Sequence, residues 1–338
     1  MTRRRVWVLA VCFMVAATLG WWLLKKEAET LHRNTRLIMG TVVEITLVGE
    51  PKKVRKVEDA VVAELNRVER LCSFHLADSG LSRLNDRAGQ GWIPVEPELF
   101  ALIEKSVQTA EKTGGAYDPS VGPVCRLWNF SGTGSARLPS AAEIAEALPK
   151  VGWRKIGLNP GKHSVSLELK GMALDLGGIS KGYALDRAGH VIRAGGIRSG
   201  LVNAGGDVLA VGERAPGRKW RIGVRDPLRP NAIVAAVEIS DEVILTSGDY
   251  ERCFQQEGKN YHHILVPGTG YPAEGLSSVT LLGSEGAAVE PLGTGAFVLG
   301  PEKGMELLAS FPGVEGLLIT SEGAFLTTPG ARKRFTLK

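Results

Sequence analysis

The amino-acid sequence predicts an α+β fold, and three observations carry that prediction. The chain has 338 residues, 44% of them hydrophobic, which suffices for a large core or two intimately packed lobes. Strand-like segments come in mixed order, some spaced as hairpins and others separated by helical patterns, unlike a regular doubly wound sheet. No Pro/Ser-rich linker follows residue 36, so any two lobes belong to one connected unit.

Near the N-terminus, the run Val6–Leu24 carries no charge. As a helix it would reach about 28 Å, close to the hydrocarbon thickness of a bilayer. Arg3–Arg5 precede it and Lys25-Lys26 follow it. The short basic N-terminal side predicts a cytoplasmic start, with the remainder outside the cytoplasmic membrane facing the periplasm. Residues 1–26 therefore read as a membrane anchor, with a cleaved signal peptide as the rival reading. Those five cations match the formal charge of +5, leaving the rest near neutral and giving no sign of nucleic-acid binding.

Residues 27–35 (EAETLHRNT) read as a polar linker, and a single domain is expected over 36–335. MGTVVEITLVG, from Met39 to Gly49, alternates as a strand does. Arg55–Cys72 then sets Val57, Val61, Leu65, Val68 and Leu71 on one helical face. A second helix is expected over Pro97–Thr113, opened by Pro and stopped by Gly114-Gly115. Ser140 and Glu143 form a capping box for a third. Strands are expected at Ser164–Leu169, Ala173–Leu176, Gly200–Val202, Trp220–Val224, Ile233–Ile239, His262–Val266 and Ser278–Leu282. Cys72, Cys125 and Cys253 are too widely spaced for a CxxC metal site and read as small buried hydrophobes.

The stretch LDLGGISKGYALD, Leu174 to Asp186, runs from alternating apolar residues through a glycine pair into a helical pattern. It matches neither the P-loop nor the dinucleotide GxGxxG order. A strand, a Gly-rich turn and a helix start can still offer backbone N–H groups and a positive dipole end to a phosphate. The alternative is a glycine turn packed under a helix, with Lys181 solvated. Other glycine-flanked polar spots, AYDPSVGP, NAGGDV, TSGDYER and YHHILVPGTGYP, are scattered as residues converging on one cleft would be.

Taken in order, MGT, AYDPSVGP, ALDLGGISKGYALD, NAGGDV, TSGDYER, YHHILVPGTGYP and EPLGTGAFVLG closely resemble the ApbE family, the FAD:protein FMN transferases. The resemblance implies an ApbE-like fold, a mixed β-sheet core with surrounding helices in two closely joined lobes and FAD between them. It implies Mg²⁺-dependent cleavage of FAD, joining of FMN to a Thr or Ser hydroxyl of a partner flavoprotein, and release of AMP. Recipients would be flavoproteins of Na⁺-translocating NADH:quinone reductase (Nqr) and Rnf complexes. By the same resemblance FAD is contacted at Met39, His75, Ala116, Tyr117, Asp118, Asp175, Lys181 and Leu265. Mg²⁺ would be held by the Gly178 carbonyl, Glu290 and Thr294, the last two one turn apart on a helix. His263 is expected to face the acceptor hydroxyl, with Asp175 and Lys181 beside it as catalytic groups and His262 structural, since strand neighbours point to opposite faces.

The chain departs from the family pattern at three places. Val266 stands where the family has Asp before Pro, His75 where it has Tyr, and Glu290 where it has Asp. Pro291 and two glycines are expected to weaken or kink the first turns of the helix carrying Glu290. A FAD pyrophosphatase and a non-catalytic flavin-binding protein remain alternative readings.

Overall fold

In a computed structural model of the chain, residues 30–130, 134–229 and 231–338 are described. The expected anchor, residues 1–26, lies outside them; among the described residues no helix is long and apolar enough to cross a membrane.

The chain enters as β1 (Thr30–Ile38), which turns at Met39-Gly40 and pairs antiparallel with β2 (Thr41–Gly49). This corrects the expected linker over residues 27–35, because Thr30 to Thr35 already pair with Gly49 to Glu44. β1 is an edge strand, largely exposed, so its polar composition mimics a linker. Pro at the first turn then opens α1 (Pro51–Cys72), whose apolar stripe Val54, Val57, Val61, Leu65 and Val68 is buried. α2 (Gly80–Asn85) is capped by the Ser79 side chain, which accepts from the Ser82 amide. β3 (Trp92–Pro94), α3 (Pro97–Lys112), α4 (Gly122–Trp128) and α5 (Ala141–Ala147) follow, the last with the expected capping box. After β4 (Ile156–Asn159) and β5 (Ser164–Leu167), which join β3 in a small sheet, comes α6 (Ser180–Ala194).

The second half supplies most of the strands. β6 (Ser199–Ala204) and β7 (Asp207–Val211) form a hairpin, as do β8 (Trp220–Arg225) and β9 (Ile233–Ile239). β10 (Val243–Gly248), a ribbon of β11 (Cys253–Gln256) and β12 (Lys259–His262), and β13 (Leu276–Gly283) precede α7 (Gly286–Ala309). The chain closes with β14 (Glu315–Thr320), β15 (Phe325–Thr327), α8 (Pro329–Arg334) and β16 (Thr336–Leu337).

The core is an eight-stranded sheet in the order β1-β2-β6-β7-β10-β13-β14-β15, with every pairing between its strands antiparallel. Its central strands are buried on both faces. Leu209, Val211, Val243, Leu245, Val279, Leu281 and Leu318 belong to the core that includes α1, α6 and α7. The alternate residues Val208, Ala210, Ile244, Leu282, Leu317 and Ile319 pack with Trp220, Val234 and Val237 of the β16-β9-β8 sheet. This double burial explains the unbroken apolar run Val208–Val211 of β7.

Three local expectations differ from the structure. Ala173–Leu176 is no strand: Ala173 forms a single bridge with Val121, and the Asp175 amide donates to the Pro119 carbonyl at 2.7 Å. The strand expected over His262–Val266 ends at His262, beyond which Ala273 N–H donates to Ile264 O at 2.9 Å. Helix α7 runs through Pro291 and breaks instead at Gly300, with φ 79°, just before Pro301. Both Glu290 and Gly300 precede a proline, but only glycine takes the positive φ at which the helix breaks without strain.

Candidate active site

A cavity of about 490 Å³ gathers the scattered motifs. Met39, from the β1–β2 turn, and the exposed His75, after α1, stand on its wall. Ala116, Tyr117 and Asp118 line it from the loop before α4, and Asp175, Gly178 and Lys181 from the α6 entrance. His263 and Leu265 follow the β11–β12 ribbon, and Glu290 and Thr294 come from α7.

The junction of α6 and α7 sets the geometry. Gly182 and Gly286 touch backbone to backbone: a Cβ on Gly182 would sit 2.3 Å from the Gly286 carbonyl oxygen. One turn later, the Asp186 carboxylate accepts from the Gly286 and Ala287 amides at 2.7 and 2.9 Å, capping α7 from its neighbour. This contact lets Gly182 N–H donate to Glu290 Oε2 at 2.7 Å. Gly182 N–H belongs to the first turn of α6, where amides lack an intrahelical acceptor, and the Gly178 carbonyl precedes the helix and takes no part in its ladder. Thr294 Oγ1 lies close by, 3.2 Å from where a Gly178 Cβ would stand, and the Tyr117 ring lies at 3.1 Å.

The oxygen set fits a hard divalent cation. It offers one carboxylate, a free carbonyl and a hydroxyl. Among the described residues there is no cluster of three or more His, Cys, Asp or Glu able to hold a metal. Such sparse oxygen donation suits Mg²⁺, which completes its shell with water and substrate phosphates.

Lys181, in the first turn of α6, forms an ion pair with Asp207, whose other oxygen accepts from the Thr246 amide at 2.9 Å. Burial works against the Lys181 ammonium, but Asp207, Glu290 and Glu251 hold its pKa well above normal. Burial pushes Glu290 and Glu251 up, with Lys181 opposing it in each case. Six carboxylates (Glu69, Asp118, Asp175, Asp207, Glu251, Glu290) line the cavity against two permanent cations, Lys181 and Arg252. A diphosphate entering such a wall requires added positive charge.

Two of the expected contact groups are committed to their own loops. The Asp118 carboxylate accepts from Ser120 N–H at 2.8 Å, Ser120 Oγ at 2.6 Å and Trp153 N–H at 3.0 Å. Asp175 Oδ1 accepts from Gly177 N–H at 2.8 Å, which shapes the turn into α6. Tyr117 is buried, its hydroxyl donating to Ser106 Oγ at 3.3 Å, so it serves as wall beneath Gly178.

The adjacent histidines have different surroundings. His262 is buried against Phe297, its Nε2 at 2.9 Å from the Ala273 carbonyl, and it does not line the cavity. His263 does, and its buried Nδ1 has no hydrogen-bond partner among the described residues. Burial, with Arg252, His262 and Lys181 nearby, lowers its pKa to about 3, so the imidazole is neutral at ordinary pH. Asp207, Thr246, Glu251 and Arg252 also line the cavity and were not singled out from sequence. Their signal was present: they belong to the NAGGDV and TSGDYER motifs.

Comparison with known proteins gives a consistent result. The family model for the ApbE family matches residues 39–318. The FAD:protein FMN transferase of Treponema pallidum is 34% identical over 305 residues, 85% of this chain and 84% of that protein. The crystal structure of the ApbE protein of Thermotoga maritima superposes with a TM-score of 0.84 at 33% identity, covering 90% of this chain and 99% of that one. The flavin transferase ApbE of Vibrio cholerae gives 0.81 at 25% identity, with the same coverage.

Proposed function

The chain belongs to the ApbE family, and on that premise we propose that it cleaves FAD in an Mg²⁺-dependent reaction and attaches the FMN half to a Thr or Ser hydroxyl of a partner flavoprotein, releasing AMP. The observation that carries this reading is the Gly178 carbonyl, outside the α6 ladder and beside Thr294, in the cavity that also holds Glu290, Lys181 and the neutral His263.

Gly178, Glu290 and Thr294 would hold Mg²⁺, which supplies charge neutralisation to the diphosphate. Lys181, fixed by Asp207, places an ammonium by the same phosphates. The unpartnered ring of His263 accepts the hydroxyl proton as that oxygen attacks the FMN-side phosphorus. The P–O bond to the AMP half breaks, and AMP leaves with the bridging oxygen. Met39, Ala116 and Leu265 supply wall to the flavin nucleotide, with Asp118 and Asp175 shaping the loops behind it. We place the enzyme at the cytoplasmic membrane through residues 1–26, facing the extracytoplasmic side, with Nqr- or Rnf-type flavoproteins as recipients.

The test is incubation with FAD, Mg²⁺ and such a recipient domain. Covalent flavin fluorescence on the denatured recipient, with one AMP released per label, is expected. Release of AMP with no labelled recipient would replace transfer by hydrolysis, and neither product would sink the reading.

A further inference from the structure

We propose that the recipient protein docks as an added β-strand along the open edge of β11, an inference that rests on the transferase reading above. β11 and β12 form a sheet of two strands that leaves the body at the cavity. At its base His263 N–H donates to Arg252 O at 3.1 Å, and both residues line the cavity. One side of the ribbon is fastened by aromatic packing: Phe254 lies 5.7 Å from Phe130 and Tyr261 lies 5.5 Å from Trp128. The β12 side is covered, with His262 hydrogen-bonded to Ala273 and Lys259 paired with Glu274 at 3.1 Å.

Among the described residues, no strand pairs with the β11 side. In an antiparallel ladder, bonded and non-bonded pairs alternate. Because Arg252 and His263 are a bonded pair, the Cys253–His262 and Gln255–Asn260 pairs turn their amides and carbonyls outward. Cys253 and Gln255 are both exposed. Donors and acceptors repeating at this spacing are complementary to the extended backbone of a polypeptide. Protected edges carry charges, proline or a bulge, and Cys253–Gln256 (CFQQ) has none of these. By contrast the β1 edge bears Arg33 and Arg36, both engaged in ion pairs. A strand laid about 4.8 Å from β11 runs past Arg252 into the cavity, delivering a hydroxyl beside His263.

The test uses the full chain loaded with FAD and Mg²⁺, and as probe a recipient domain that the unaltered enzyme labels. Amide hydrogen exchange should slow at residues 253–256 on adding the recipient. Gln255→Pro, which removes an outward-facing N–H but no ribbon bond, should raise KM for the recipient tenfold or more with FAD affinity within twofold. Unchanged recipient KM, or protection appearing instead on the β1–β2 hairpin, overturns the docking edge. Absence of labelling by the unaltered enzyme would count against the transferase reading itself and is scored separately.

Discussion

Gly182→Ala tests the helix junction most directly. The new methyl group would stand 2.3 Å from the Gly286 carbonyl oxygen and 2.4 Å from its carbon. An unstrained carbon–oxygen contact is about 3.3 Å, so the helices must separate by about 1 Å. The opposing atoms are backbone, and no side chain can rotate away. Overpacking of this kind costs about 1–3 kcal/mol. Loss of the Gly182 amide bond to the Glu290 carboxylate adds about 1.5–3 kcal/mol. Alanine's better helix propensity returns about 1 kcal/mol. The net destabilisation is about 1.5–5 kcal/mol, measurable by urea unfolding. A shift of 1 Å also takes Glu290 and Thr294 together away from Gly178, and misplacement of that size costs about 10²-fold in rate. A variant within about 0.5 kcal/mol of the parent that transfers flavin at the parental rate would refute the role given to this contact.

Other outcomes follow from the same site. His263→Ala should lower transfer by about 10²–10⁴-fold while FAD binding, followed by flavin fluorescence, is retained. His263 has an ordinary pKa of 6.5 lowered to about 3 in the fold. Between those values the unfolded chain binds a proton that the folded chain does not, so stability is full above pH 6.5 and falls as pH drops toward 3. His263→Gln should flatten that slope in acid-denaturation curves. Thr294→Ala and Glu290→Ala should reduce turnover about tenfold or more at limiting Mg²⁺ and recover part of it in excess Mg²⁺, read from AMP release across a magnesium titration. Asp207→Asn leaves the Lys181 ammonium without its partner. The expected cost is near the lower end of about 3–5 kcal/mol, because a fifth of the Lys181 side chain reaches solvent, and urea unfolding checks it.

Much of the site was legible because its chemistry sits in local motifs. Glycine turns could be placed from residue type, whereas Glu290, Thr294 and His263 gained their roles only from the ordered motifs that resemble the ApbE family. The helix junction was not legible, since nothing local announces that Gly182 will touch Gly286 or that Asp186 will cap α7 across 100 residues of chain. The same limit hid the partner of Lys181, because Asp207 lies beyond α6 on the β6–β7 hairpin. Misread elements have local causes: β1 looks like a linker because an exposed edge strand needs little apolar alternation. Residues 173–176 alternate as a strand would, yet the structure spends them on the loop carrying Asp118.

The cavity draws its walls from Met39 to Thr294, so it cannot exist in a partial chain. During synthesis, a nascent chain that has not yet reached α7 lacks both Glu290 and Thr294, which stand beside the Gly178 carbonyl. The cavity is therefore completed late in the life of the polypeptide. A truncated product, however well its first hairpins fold, lacks the walls proposed to take the flavin nucleotide.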